Sequence, residues 1–136
     1  MLKLYWPERG SNELNRTVEG RGDLLVSDLV VTEIISALSR RIRQGAVTEE
    51  VTRRVQQEIV KRLDDGTYRR IELTRDVHRR AEDFLVRLTE IPLRAADALH
   101  VAMATSARAA SMASFDVRQR AAARAVGLVL YPPEEP

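Results

Sequence analysis

Hydrophobic residues in this chain form short continuous runs that alternate with longer stretches of helical spacing. The run from Leu24 to Ser27 follows two glycines and predicts a strand, and the apolar residues from Leu29 to Ile42 recur on one helical face. A second helix is predicted from Thr48, a favourable N-cap, to the neighbourhood of Gly66. We expect these two helices to pack against each other as a hairpin.

The same alternation continues to the end of the chain. The predicted elements are a strand over 70–73, a helix that Thr74 caps and Pro92 interrupts, a helix over 93–107, a strand over 112–115, a helix over 116–126 ending at Gly127, and a strand over 128–131. The stretch 93–107 is apolar on nearly every face, which indicates a buried helix. Strands that alternate with helices favour an α/β class with a parallel sheet covered on both faces.

The segment before the first predicted strand fits this scheme less well. Residues 1–6 resemble the end of an amphipathic helix, and residues 12–18 predict another short helix. The chain therefore opens in the middle of an element, and a strand that should precede it is absent. An all-helical interaction domain without a sheet is a weaker alternative for the whole chain.

Composition narrows the function classes. With 136 residues, of which 44% are hydrophobic and 31% charged, the chain has the composition of an ordinary globular protein and not of a disordered or fibrous one, and we predict one folded domain over 1–136. The absence of cysteine excludes disulfides, thiolate zinc sites and cysteine nucleophiles. No apolar run reaches the ~18 residues of a membrane span and no signal-peptide pattern is present, so we expect a cytoplasmic protein.

Three carboxylates stand out as candidates for chemistry. Asp97 lies within an otherwise apolar helix, where a charge must be paired, metal-bound or at a crevice, although the helix dipole also favours an acid in a first turn. Glu33 lies at the rim of an apolar helical face, where a plain surface role is an alternative. Asp116 follows a strand and opens a helix, so it is either a ligand at the carboxyl edge of a sheet or a simple N-cap. Asp28 is interpreted as a cap.

Together these carboxylates could hold one or two divalent ions that activate water and stabilise the charge developing on a phosphodiester. Oxygen ligands suit Mg²⁺ or Mn²⁺. The two histidines, His78 and His100, are interpreted as structural. The sequence contains no glycine-rich phosphate loop and no arrangement of serine, histidine and aspartate that we can place.

Three stretches of the chain, in order, resemble the acidic motifs of PIN-domain toxins of the VapC type: SDLVVTEI at 27–34, LRAADALH at 93–100 and SFDVR at 114–118. The segment LKLYWPE at 2–8 also looks like the end of that family's first helix. The resemblance implies a three-layer α/β/α domain and an endoribonuclease that depends on Mg²⁺ or Mn²⁺. It also implies that Glu33, Asp97 and Asp116 are catalytic metal ligands with Ser114 as a polar neighbour, that the chain forms a homodimer, and that a small antitoxin blocks the site.

One feature of the resembled family is not found in this sequence. In that family the first strand carries an aspartate a few residues before the helix end that 2–8 resembles, and this chain begins after it. We therefore expect the natural start to lie upstream. The main hypothesis is the toxin ribonuclease of a toxin–antitoxin pair, and the alternative is a non-catalytic PIN-like domain that binds RNA or protein.

Overall fold

Helices and strands alternate along the chain as the sequence predicts. The computed structural model describes the backbone of residues 11–133 and the side chains of residues 12–133, so the expectation for 1–6 lies outside the described residues. The elements are α1 (Ser11–Val18), β1 (Leu24–Ser27), α2 (Asp28–Arg43), α3 (Glu49–Asp64), β2 (Tyr68–Ile71), α4 (Arg75–Arg87), α5 (Ala95–Ser106), β3 (Ser111–Ala113), α6 (Val117–Ala125) and β4 (Val129–Tyr131). None of the described helices is long and apolar enough to cross a membrane.

The chain folds as two compact units that divide between Ile71 and Glu72. In the first unit β1 pairs with β2 in parallel, and the helical hairpin of α2 and α3 makes the crossover between them. In the second unit β3 pairs with β4 in parallel, with α6 as the crossover. Parallel strand pairs joined by helices confirm the α/β class and exclude the all-helical alternative. A single domain over 1–136 stays a prediction.

The core of the first unit lies between α2 and α3, which confirms the predicted hairpin. Leu38 from α2 and Ile59 from α3 are fully buried and form a cluster with Ile34, against which further aliphatic side chains pack: Val30, Val31, Val55 and Leu63. The spacing of these residues at three and four positions gives each helix one apolar stripe. This cluster holds α2 in place and thereby fixes the position of Glu33 on that helix.

Serine and threonine begin the longer helices of both units. The side chains of Thr48 and Thr74 accept hydrogen bonds from backbone amides in the first turns of α3 and α4, which confirms both predicted N-caps. The interpretation of Asp28 as a cap is wrong. Ser27 takes that place because its Oγ accepts from the amide of Val30 at 3.0 Å, and Asp28, one residue later, is ion-paired with Arg70 of β2.

The second unit is built around α5. Four residues of this helix, Ala98, Val101, Ala102 and Met103, are essentially inaccessible to solvent, which confirms that it is a buried helix. Val77, Ala81 and Phe84 of α4 are also buried, whereas the adjacent Leu85 is 38% exposed. The reason is geometric, because Phe84 already occupies the core-facing position of that turn and its neighbour is rotated by about 100°.

The turn after α3 contains Asp65, a carboxyl group whose pKa is lowered by its hydrogen bonds. Asp65 Oδ1 accepts hydrogen bonds from the hydroxyl of Thr67 at 2.6 Å and from its backbone amide at 2.9 Å. These bonds favour the ionised form and lower the pKa of Asp65 below its usual 3.8. A carboxyl with a lowered pKa stabilises the fold above its unfolded pKa, and that contribution is lost as the pH falls through the folded pKa.

In Thr67→Val, which removes the hydroxyl, the pKa of Asp65 should rise towards 3.8. An NMR pH titration of the aspartate carboxyl carbons measures it. Asp23 is the internal control, since its pKa is lowered mainly by the side chain of Arg21 and should keep its midpoint. An unmoved Asp65 midpoint would show that the hydroxyl is not responsible.

Candidate active site

Asp97 occupies the third position of α5 and is only 5% exposed. Its Oδ2 accepts hydrogen bonds from the backbone amide of Arg94 at 3.0 Å and from Nε of Arg118 at 3.2 Å, while its Oδ1 accepts from Nε2 of Gln119 at 3.3 Å. The structure shows the position and the pairing of this residue, and its predicted role as a metal ligand stays a prediction. It lies in a first turn, and it is a buried charge that is paired and hydrogen-bonded.

Asp116 stands between β3 and α6 as the N-cap of that helix. Its Oδ1 accepts from the backbone amides of Arg118 at 2.8 Å and Gln119 at 3.1 Å. Its other oxygen, Oδ2, lies 3.4 Å from Nη2 of Arg118. One oxygen of Asp116 therefore starts the helix, and the second is turned towards a cation.

Arg118 connects the two aspartates. Its guanidinium contacts Oδ2 of Asp97 and Oδ2 of Asp116, so one cation touches carboxylates from two different elements. The Arg118 side chain is 32% exposed, and ion pairs at such exposure contribute little to stability. The contact with Asp97 contributes more to stability than the contact with Asp116, because removing one partner of a buried charge leaves that charge uncompensated.

Ser114 and Gln119 complete a closed set of contacts around these charges. Ser114 is buried, its Oγ accepts from the backbone amide of Asp116 at 3.1 Å, and it donates to Oε1 of Gln119 at 3.0 Å. Gln119 in turn donates to Asp97. The ring formed by Ser114, Asp116, Arg118, Asp97 and Gln119 holds both carboxylates in fixed orientations; we call it the carboxylate ring.

Sequence reasoning did not single out Arg118 or Gln119. Gln119 carried a usable signal, because a glutamine three residues after an N-cap is typical of a capping box. Its side chain departs from that motif and contacts Asp97 and Ser114 instead. Arg118 has no comparable local signal, since its contact with Asp97 spans 21 positions of sequence.

Glu33 belongs to the first unit. It lies on the exposed side of α2, directly before the buried Ile34. Its predicted role as a metal ligand stays a prediction. The histidines lie as expected, with His78 exposed on α4 and His100 buried on α5 one turn after Asp97.

Donor chemistry decides whether a metal fits the carboxylate ring. Among residues 12–133, no three side chains of histidine, aspartate or glutamate converge closely enough to form a metal site on their own. Asp97 and Asp116 nevertheless offer carboxylate oxygens, the ligands that Mg²⁺ and Mn²⁺ prefer. Their Oδ2 atoms contact Nε and Nη2 of the same guanidinium, so both carboxylates face one positive charge, and the chemistry of these donors fits a divalent ion.

Comparison with known families gives one match. The profile of the family described as PIN domain matches residues 2–125, a range that covers most of both units and contains Glu33, Asp97, Ser114 and Asp116. No curated protein matches the chain significantly.

Proposed function

Because this chain belongs to the PIN domain family, whose members are generally metal-dependent nucleases, we propose that it is an Mg²⁺- or Mn²⁺-dependent endoribonuclease and the toxin of a type II toxin–antitoxin pair. The observation that carries the proposal is the carboxylate ring, in which Asp97 and Asp116 share one cation. Two carboxylates that both contact one positively charged group are suited to bind a divalent ion.

Asp97 and Asp116 would hold the metal, and the motif resemblance adds Glu33 as a further ligand. When bound, the ion would activate water and neutralise charge on the phosphodiester. The chain's own residues supply orientation. The amide of Arg94 and the side chain of Gln119 fix the buried Asp97, the first amides of α6 fix Oδ1 of Asp116, and Ser114 fixes the amide plane of Gln119.

The finer parts of the proposal rest on the three motifs that resemble VapC-type toxins. They are an RNA substrate, a small antitoxin protein that blocks the site, a homodimer and a cytoplasmic location. PIN nucleases in general act on nucleic acids, and within that class of substrates we propose RNA.

The test is cleavage of a fluorescent RNA by the purified protein, together with Mn²⁺ titration calorimetry. We expect Mn²⁺ to bind, and cleavage to require it and to stop with EDTA. In Glu33→Gln we expect Mn²⁺ affinity to fall at least about tenfold, because losing even a partner of a metal ligand costs that much. Glu13→Gln, an exposed change on α1, is the matched control.

Each outcome decides one part of the proposal. Binding of RNA without cleavage in Mn²⁺ would favour the non-catalytic alternative. Unchanged Mn²⁺ affinity in Glu33→Gln would remove Glu33 from the ligand set and leave the two aspartates. Cleavage that persists in EDTA would contradict metal dependence.

A further inference from the structure

We infer that Arg118 is an internal counter-cation that occupies the metal position in the metal-free protein, so that a divalent ion binds by displacing its guanidinium from Asp97 and Asp116. The inference rests on the proposed metal-dependent function and adds a residue that governs metal affinity. Arg118 thus competes with the ion for the two carboxylates and sets metal affinity without being a ligand itself.

The inference rests on which groups contact each carboxylate oxygen of Asp97 and Asp116. Oδ1 of Asp116 is engaged by two backbone amides, and Oδ1 of Asp97 faces the side-chain amide of Gln119. The two oxygens that meet at one cation are the Oδ2 atoms, and both contact Arg118. An ion that used both Oδ2 atoms would therefore need the place that the guanidinium now holds.

Charge leads to the same exchange. Asp97 and Asp116 together carry two negative charges, and Arg118 supplies one positive charge at their contact. In the metal-free protein the arginine thus relieves the repulsion between the carboxylates. If it stayed in place while a divalent ion bound, like charges would lie within a few ångströms of each other, which is unfavourable.

The guanidinium of Arg118 can also move away without disturbing the start of α6. Its side chain is 32% exposed and its contact with Asp116 is long at 3.4 Å, so water can hydrate the guanidinium once a divalent ion has replaced it beside the buried Asp97. Its backbone amide donates to Oδ1 of Asp116 independently of the side chain. The start of α6 and the orientation of Asp116 therefore survive when the guanidinium moves away.

The first test compares Mn²⁺ affinities by titration calorimetry. We expect Arg118→Gln to bind Mn²⁺ about tenfold tighter than wild type, within the usual range of coupling between two binding events. Arg118→Lys, which keeps the charge but loses the planar fork, should fall between them. Arg124→Gln is the matched control, because it removes the same charge from an exposed position of the same helix and should bind like wild type.

A second test needs no variant and so does not depend on whether Arg118→Gln folds. During Mg²⁺ titration of the wild-type protein, the Nε–H NMR signal of Arg118 should shift and exchange faster with water, while that of Arg124 stays in place. This readout does not require activity, and Mg²⁺ is diamagnetic.

The outcomes separate this inference from the proposed function. Tighter binding by Arg118→Gln with a moving Nε–H signal supports the exchange. Equal or weaker binding by this variant, or an Nε–H signal that ignores Mg²⁺, overturns it and leaves a metal-dependent nuclease in place. Absence of Mn²⁺ binding in every variant overturns both.

Discussion

In Asp97→Asn, metal-dependent RNA cleavage should fall at least about 100-fold, because a metal ion contributes several kcal/mol of charge stabilisation and each ~1.4 kcal/mol lost slows a reaction about tenfold. The substitution removes the buried charge of the carboxylate ring while keeping the shape of the side chain. Mn²⁺ affinity should fall with it.

The fold should tolerate this change, which is why asparagine is the replacement of choice. Its carbonyl oxygen can keep the bonds from Arg94 and Arg118, and its NH₂ group then faces Gln119. Gln119 can answer by turning its amide plane over, so that its oxygen accepts from Asn and its nitrogen donates to Ser114 Oγ. Each oxygen and nitrogen of this set then keeps at least one hydrogen bond, with Ser114 Oγ accepting from Gln119 and from the amide of Asp116.

Initial rates of cleavage, Mn²⁺ calorimetry and thermal denaturation in EDTA together check the prediction. Asp83→Asn on α4 is the matched control, since it removes a carboxylate that pairs only at the surface with Arg87. Cleavage by Asp97→Asn at the wild-type rate would contradict a metal role for Asp97. Loss of activity together with loss of the folded state would assign Asp97 a structural role instead.

The second large effect concerns the core of the first unit. Leu38→Ala should lower the free energy of unfolding by about 3–5 kcal/mol, because it deletes a fully buried side chain and leaves a cavity against Ile59 and Ile34. Urea denaturation followed by circular dichroism measures the change.

Val60→Ala is the control on the neighbouring helix. Val60 is 45% exposed, so the same kind of truncation should change stability by no more than about 0.5 kcal/mol. A cost below about 1 kcal/mol for Leu38→Ala would mean that the site collapses around the smaller side chain, because the cost of such truncations grows with the cavity that remains.

Much of the fold follows from local signals in the sequence. Thr48 and Thr74 predicted the starts of α3 and α4 because a hydroxyl that accepts from the first-turn amides is a local device. The buried helix α5 was equally visible from its apolar faces. Boundaries of strands were less certain, as β2 covers Tyr68–Ile71 and not 70–73, because two-residue shifts leave the apolar pattern of so short a strand almost unchanged.

In the candidate site, too, local signals could be found from the sequence and contacts between distant residues could not. Asp97 and Asp116 could be found from sequence because a charge in an apolar helix and an acid after a strand are local anomalies. What they contact could not be found, since Arg118 meets Asp97 only through the packing of α5 against α6. The error at Asp28 has a related cause, as Ser27 and Asp28 are both good caps and only the geometry of the first turn chooses between them.

The double use of Asp116 limits which amino acids position 116 can accept. Asparagine, serine or threonine could still begin α6, because each has a short side chain with an oxygen at the right reach. Glutamate would retain the negative charge but is too long to cap the helix in the same way. Aspartate caps the helix and also turns a second carboxylate oxygen towards Arg118, so we expect sequence variation at this position to be narrower than helix capping alone would impose.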